Sequence, residues 1–414
     1  MTDFVGISEA ASILDVSVDT LRRWEKKGLV RSRRDSSNCR EFSLTGIQAL
    51  KRKRAGDGES RSFQVLTSTP SSYTAIDLFA GAGGTALGLE NAGFSHVLVN
   101  EIDKYAAATL RANRPKWNVL EQDVHDVDFT PWRHQVDLLE GGFPCQAFSY
   151  AGKKLGFADT RGTLFHEFAR AVSEVRPRIA MGENVRGLVN HDGGRTLATM
   201  RATLNDLGYR VQTKVLRSQY LDTAQKRERL ILIAAREDLD VPIQFPQERD
   251  YTLSLKDVIG DRPGGPGAKY ADWKYEIMKQ VPEGGYWRDL PDDLQRKYMK
   301  ASYFHGGGKT GMARRLAWDE PSLTLTCNPA QKQTERCHPD ETRPLNVREY
   351  ARIQAFPDDW QFVGGITQQY KQIGNAVPVN MAYHVGLAIR EMLNAAGGGD
   401  QANARSFGCD TAAR

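Results

Sequence analysis

Between Tyr73 and about Arg236 the chain alternates short apolar runs with longer stretches of mixed polarity. Ala75 to Phe79, His96 to Asn100, Val136 to Leu139, Ile179 to Met181 and Leu230 to Ala235 are the apolar runs. Strands buried on both faces need such runs, and the helix-like stretches between them predict an α/β fold with a mainly parallel, doubly wound, Rossmann-like sheet. From about residue 240 to 335 the pattern turns polar and irregular, with Gly264-Gly265, Gly284-Gly285 and Gly306 to Gly308 as punctuation. That predicts a smaller, separate domain. Apolar helical spacing returns from Tyr370 to Leu393, and the tail after Ala395 is expected to be disordered. The expected divisions are 1–55, a linker at 56–72, the sheet domain at 73–250, the irregular domain at 251–368, a return to the sheet domain at 369–395, and the tail at 396–414.

The first 55 residues follow a different pattern. Ser8 to Leu14 predicts a short helix with Ala10, Ala11, Ile13 and Leu14 inward, and Asp15-Val16-Ser17 a turn. Ser17 is a good N-cap for a second helix, Val18 to Lys27, with Leu21 and Trp24 on its core stripe and Arg22 and Arg23 off it. Gly28 suits a left-handed cap. Leu29 to Arg34 and Cys39 to Ser43 predict a hairpin around Asp35 to Asn38. This helix-turn-helix with a wing resembles the DNA-binding heads of the MerR and excisionase families, whose recognition helix enters the major groove.

Charge reinforces that division. Residues 1–55 carry 12 Lys+Arg against 7 Asp+Glu, whereas the remainder carries 44 of each. A basic head on a neutral body points to a polyanion, here double-stranded DNA. With 414 residues, 40% of them hydrophobic, the chain can bury a sizeable core in two or three domains. No run of about 18 apolar residues and no basic-then-apolar N-terminus occurs, so neither membrane span nor signal peptide is expected. Five cysteines without a CxxC pair suggest a reduced, cytoplasmic protein, as in a bacterial cytoplasm or nucleoid.

Asp77 to Gly88 (Asp-Leu-Phe-Ala-Gly-Ala-Gly-Gly-Thr-Ala-Leu-Gly) follows a strand and opens a helix. Gly81, Gly83 and Gly84 allow a sharp turn and a close backbone approach to a ligand. Glu101 ends the next strand, about where an acid accepts from ribose hydroxyls, and Asp123 could accept from an adenine amino group. No basic cluster is present for a pyrophosphate, and Phe79 is placed to lie against adenine. Both favour S-adenosylmethionine over NAD.

Gly142-Phe143-Pro144-Cys145-Gln146 holds a lone cysteine behind a proline at a strand-to-loop boundary, a candidate nucleophile. The loop beyond it carries Lys153, Lys154 and Arg161 among glycines and could close over a phosphate backbone. Glu183, at the end of a later apolar run, falls at the C-terminal edge of the sheet and suggests a proton-handling partner. Arg227 and Arg229 are two apart, on one face if extended, and could hold a base oxygen and a nearby phosphate. A zinc site from Cys327, Cys337 and His338 lacks a fourth ligand, so no metal is expected.

Taken together these motifs are similar to those of the DNA (cytosine-5) methyltransferase family, in that family's order, from Ala75 to about Ile389. Phe79 to Gly84, Glu101, Asp123, Pro144-Cys145-Gln146, Glu183-Asn184-Val185 and Gln225 to Arg229 carry the resemblance. So do Arg314-Arg315 with Pro321 to Thr326, Arg348-Glu349 with Ala351 to Gln354, and Gly374 to Pro378. The resemblance implies transfer of a methyl group from S-adenosylmethionine to C5 of a flipped cytosine through a Cys145 adduct, with Glu183, Arg227 and Arg229 assisting. It implies a cofactor pocket of Phe79, Ala80, Gly81, Gly83, Gly84, Thr85, Glu101, Ile102, Asp123, Val124, Gly142, Pro144, Asn375 and Val377. Gln146, Ser149, Lys153 and Arg161 would meet DNA, as would Arg22 and Arg23 on the head. Residues 251–335 would form the core of a target-recognition domain. Val379 stands where many members have a second proline, and Asn346 where threonine is common.

The implied role is the modification enzyme of a restriction-modification system, with monomeric catalysis and a possible dimer through the head. The head is further expected to bind an operator and act as a transcriptional autoregulator. The competing readings are a tRNA cytosine-5 methyltransferase, from another branch of the same family, and a DNA-binding regulator with an inactive methyltransferase body.

Overall fold

A computed structural model of the chain describes residues 4–55, 63–144 and 164–398. The head is built on a three-stranded antiparallel sheet, β1 (Phe4–Gly6), β2 (Ser32–Arg34) and β3 (Arg40–Ser43), in the order β1-β3-β2. Helices Ile7–Ile13, Val18–Lys27 and Leu44–Ala55 pack on it. Ser17 Oγ accepts the Thr20 N–H at 3.1 Å, and Gly28 ends the second helix at φ 75°. Ala10, Leu14, Leu21, Phe42 and Ile47 form the buried core. Neither β1 nor the third helix was expected. β1 is only three residues long, and the third helix offers Leu44, Ile47 and Leu50 against a run of Lys and Arg.

The body holds a seven-stranded sheet. Its strands are β4 (Thr74–Leu78), β5 (Ser95–Asn100), β6 (Val119–Leu120), β7 (Leu138–Gly141), β8 (Ile179–Val185), β9 (Tyr209–Arg217) and β11 (Glu228–Arg236). The order is β6-β5-β4-β7-β8-β11-β9. β4 to β8 run parallel, whereas β11 is antiparallel to β8 and β9. Successive side chains feed opposite faces, so Ile76 and Leu78 join a core with Phe129, Phe168 and Leu204 on one side. Ala75 joins Leu89, Ile231, Met381 and Ile389 on the other. β9 escaped the sequence reading because it is an edge strand with one open face. Its alternation, Tyr209 and Val211 buried with Arg210 and Gln212 exposed, is not an apolar run.

The C-terminal helix Val379–Leu393 lies on helix Gly84–Asn91. Their approach leaves no room for a side chain, since a Cβ on Gly88 would sit 2.4 Å from Ala382 Cβ. Residues 63–72, whose composition reads as linker, run along the body. Leu66 N–H donates to Asn380 Oδ1 and Asn380 Nδ2 donates to the Gln64 carbonyl, each at 3.0 Å.

The irregular region has its own core of Ile277, Met278, Trp287, Leu290, Tyr298 and Met299. Below it Lys274 Nζ lies 2.7 Å from buried Glu335, to which Tyr298 Oη also donates. Two short strands, β10 (Gln225–Lys226) and β12 (Ser322–Leu323), pair in parallel and join this region to the body. Among the described residues no helix is long and apolar enough to cross a membrane.

Candidate functional site

The chain leaves β4 for β5 on one side and comes back at β7 on the other, so a crevice opens at the C-terminal ends of these strands. Phe79 begins the turn there at φ 60°, a left-handed conformation that costs a non-glycine residue on the order of 1–3 kcal/mol and clusters at functional sites. Gly81 at φ 55° and Gly83 at φ 88° continue it. A Cβ on Gly81 would meet nothing within 4 Å, so this face of the turn is open. Gly84 is closed instead, because a Cβ there would lie 2.2 Å from the Val377 carbonyl. Ala80, Thr85 and Val124 are buried around the turn.

Glu101 is buried yet binds the turn. Its Oε2 accepts the Gly81 N–H and its Oε1 the Asp103 N–H, both at 2.7 Å. Burial pushes its carboxyl up, and these N–H bonds pull it partly back. Ile102 beside it is 64% exposed, an apolar surface open to a flat ligand. Asp123 lies at the end of β6 and accepts the His125 N–H at 3.0 Å, which holds its carboxyl low. Asn375 is exposed at the end of helix Ile366–Asn375 and accepts from Cys327 Sγ at 3.0 Å. Asp103 was not expected here. It caps helix Lys104–Asn113 and pairs with Lys371 at 2.8 Å.

Further along the edge, Glu183 of β8 sits opposite Ile231 of β11, and Arg229 Nε lies 2.5 Å from Glu183 Oε1. Both side chains are largely buried. Burial raises the Glu183 carboxyl, and the positive charges of Arg229 and Arg227 oppose that rise. Asn184 Nδ2 donates to the Phe143 carbonyl at 2.8 Å and fixes the backbone just before exposed Pro144. A Cβ on Gly142 would lie 3.7 Å from Glu183 Oε2, so Gly142 borders the acid directly. Cys145, Gln146, Ser149, Lys153 and Arg161 lie outside the described residues. On the head, Arg22 and Arg23 are exposed, bonded to Asp19 and Thr20 at 3.0 Å.

Arg227 departs from expectation. It is 1% exposed, and its guanidinium donates to the carbonyls of Leu325, Gly374 and Asn375 at 3.1–3.3 Å. A group so enclosed cannot reach a phosphate. The break between β10 and β11 falls at this residue, so it does not share an extended face with Arg229. The residues weighed for zinc are engaged elsewhere: Cys337 Sγ donates to the Glu341 carbonyl at 3.6 Å, and His338 Nδ1 accepts the Glu341 N–H at 3.1 Å.

Two acids were missed. Asp77 of β4 and Glu140 of β7 are register partners and almost wholly buried. Desolvation pushes Asp77 up to about 7, partly opposed by a hydrogen bond with Glu140, and pushes Glu140 well above the usual range, with the charge of Asp77 adding to it. The available signal was an acid inside the first apolar run and another directly after Val136 to Leu139. A carboxyl that binds its proton more tightly when folded stabilises the fold fully below its unfolded pKa of about 4, and that contribution is lost as the pH rises through about 7. The melting temperature is therefore expected to fall by several degrees between about pH 5 and pH 8.5, a loss on the order of 1–3 kcal/mol. Asp77→Asn should flatten that slope in calorimetric scans; an unchanged slope would refute the assignment.

Residues 73–391 match the model of the C-5 cytosine-specific DNA methylase family, and residues 6–42 that of the MerR family regulatory proteins. Type II methyltransferase M.Eco47II of Escherichia coli is 55% identical over 406 residues, covering 94% of this chain and 95% of that protein. Type II methyltransferase M.PspPI of Psychrobacter sp. is 52% identical over 397 residues, covering 93% and 95%. Among solved structures, the Dnmt2 methyltransferase of S. pombe superposes with a TM-score of 0.52 at 16% identity, covering 77% of this chain and 99% of that one. A prophage-encoded E. coli protein gives 0.58 at 24%, covering 78% and 100%. These two likenesses speak for the fold.

Proposed function

The chain belongs to the C-5 cytosine-specific DNA methylase family and uses S-adenosylmethionine, and we propose that it methylates a flipped cytosine within a short, specific duplex sequence through Cys145, as the modification enzyme of a restriction-modification system. The observation that carries this reading is the Glu183–Arg229 pair, held at the sheet edge beside Gly142 to Pro144.

Ring carbon C5 of cytosine is a poor nucleophile until C6 is attacked. In the proposed mechanism the Cys145 thiolate bonds to C6 and moves the C5–C6 π electrons into an enamine. Glu183, whose carboxyl burial shifts toward its protonated form, donates to ring N3 as charge builds there, and Arg229 holds the base through O2. Asn184 holds the Phe143 carbonyl, two residues before the nucleophile. S-adenosylmethionine, when bound at the glycine turn, would supply the electrophilic methyl group for C5. Loss of the C5 proton then expels the thiolate and restores the ring.

The residues at the turn fit that cofactor. Glu101 would accept from the ribose hydroxyls, Asp123 from the adenine amino group, and Phe79 and Ile102 would flank the adenine. Gly84→Ala tests the pocket, since its new Cβ must displace the Val377 carbonyl. Cofactor affinity is expected to fall at least about tenfold by calorimetric titration, and unchanged binding would place the cofactor elsewhere.

Bisulfite sequencing of a random duplex library, after incubation with the protein and S-adenosylmethionine, tests the function itself. Protected cytosines confined to one short motif are expected. Methylation of tRNA in place of duplex DNA would overturn the reading.

A further inference from the structure

We propose that head and body form a single DNA-binding surface, in which the head grips the duplex flanking the very cytosine that the body methylates. The inference rests on the function proposed above and on how the head is attached.

The attachment is specific and partly buried. Arg31 of the head reaches Glu248 of the body, with Nη2 3.0 Å from Oε2 and Nη1 donating to the Glu248 carbonyl at 3.3 Å. The Glu248 side chain is 5% exposed and is shared with Arg217, whose Nε donates to Oε1 at 3.0 Å. Both arginines lie over the Tyr220 ring, at 5.5 and 4.7 Å. Around this knot, Ser43 Oγ donates to Asp250 Oδ2 at 3.3 Å, and a Cβ on Gly28 would collide with the Gln219 side chain. Glu248 is buried while both arginine side chains are 38% exposed, so the knot fixes the geometry of the contact more than it adds stability.

The attachment also lies at the working edge of the sheet. Arg217 ends β9 opposite Glu228, and Arg229 in turn pairs with Val185 at the end of β8, two residues beyond Glu183. β9 is two strands from β8, about 10 Å at roughly 4.8 Å per strand. A cleft of about 380 Å³ lined by Arg186, Asn190, Arg217 and Glu228 lies at this end of the sheet. The head meets the body through Gly28, Arg31, Ser43 and Gly46. That leaves Arg22, Arg23 and Lys26 of the recognition helix, and Arg34 of the wing, exposed. The basic helix is thus carried by a head seated on the same end of the sheet as Glu183, about two strand widths away. A head that served a distant operator would need no fixed seat beside the active edge.

The test uses the full-length protein and two duplexes carrying one methylated motif from the library, with flanks of about 4 and about 20 base pairs. For the wild type, trimming the flank is expected to weaken binding at least tenfold. The double variant Arg22→Ala/Arg23→Ala should lose that flank dependence. Its salt slope on the long duplex should fall by about 2, one for each phosphate contact. Flank dependence retained in the double variant would overturn the proposal. So would a head-dependent footprint found only on DNA that lacks the methylated motif. If neither duplex is methylated by the wild type, the functional reading fails as well; methylation of both without a flank effect sinks this inference alone.

Discussion

Glu183→Gln is expected to lower kcat for methyl transfer by about 10²–10⁴-fold with little change in stability. Glutamine keeps the shape and can still donate a hydrogen bond to N3, but it has no proton to give. What remains measures hydrogen bonding alone. The wild-type rate depends on the protonated acid, whose pKa burial raises, so activity should decline as the pH climbs through that pKa. In the variant this limb should vanish. Single-turnover rates across a pH series would show both effects, and a variant that retained the limb would assign the titration to another group. Cys145→Ser, by contrast, should retain cofactor binding and lose transfer altogether.

Arg227→Met is expected to destabilise the protein by about 3–5 kcal/mol, some 10 °C in melting temperature. The reason is its position. One guanidinium holds the carbonyls of Leu325, Gly374 and Asn375, and so ties the strand before β11 to the irregular region and to the end of helix Ile366–Asn375. Truncation strands three buried acceptors, each costing roughly 1–3 kcal/mol if left dry. Burial and the adjacent Arg229 push the guanidinium down to about 9, which leaves it charged near neutral pH. Calorimetry decides the point: a loss under about 1 kcal/mol would mean that Arg227 is no tie.

The sequence announced most of the parallel sheet because strands covered on both faces must be apolar throughout. β9 obeys another rule, one face in and one out, and a search for apolar runs passes over it. The turn at Gly81 to Gly84 was legible since glycine at left-handed φ leaves few alternatives. Its bond to Glu101 was not, because an acid about twenty residues on suggests a ligand contact before it suggests a backbone one. Arg227 misled for a related reason: spacing of two implies a shared face only where the strand is continuous. Asp77 interrupts one apolar run and Glu140 directly follows another, and only strand register showed that they are partners. In the head, capping at Ser17 and Gly28 is local chemistry and was readable, whereas the three residues of β1 are a strand only because β3 lies beside them.

The closure of Gly84 on Val377, and of Gly88 on Ala382, also sets a timetable. The first and last stretches of the body must meet before the nucleotide pocket has all its walls. At a synthesis rate of about 5–20 residues per second, the glycine turn therefore waits tens of seconds for its lid. The head, with its own small core and short-range contacts, emerges first and needs no such wait. A nascent chain thus completes its head long before its pocket, and one cut short in the irregular region lacks the wall that Val377 supplies.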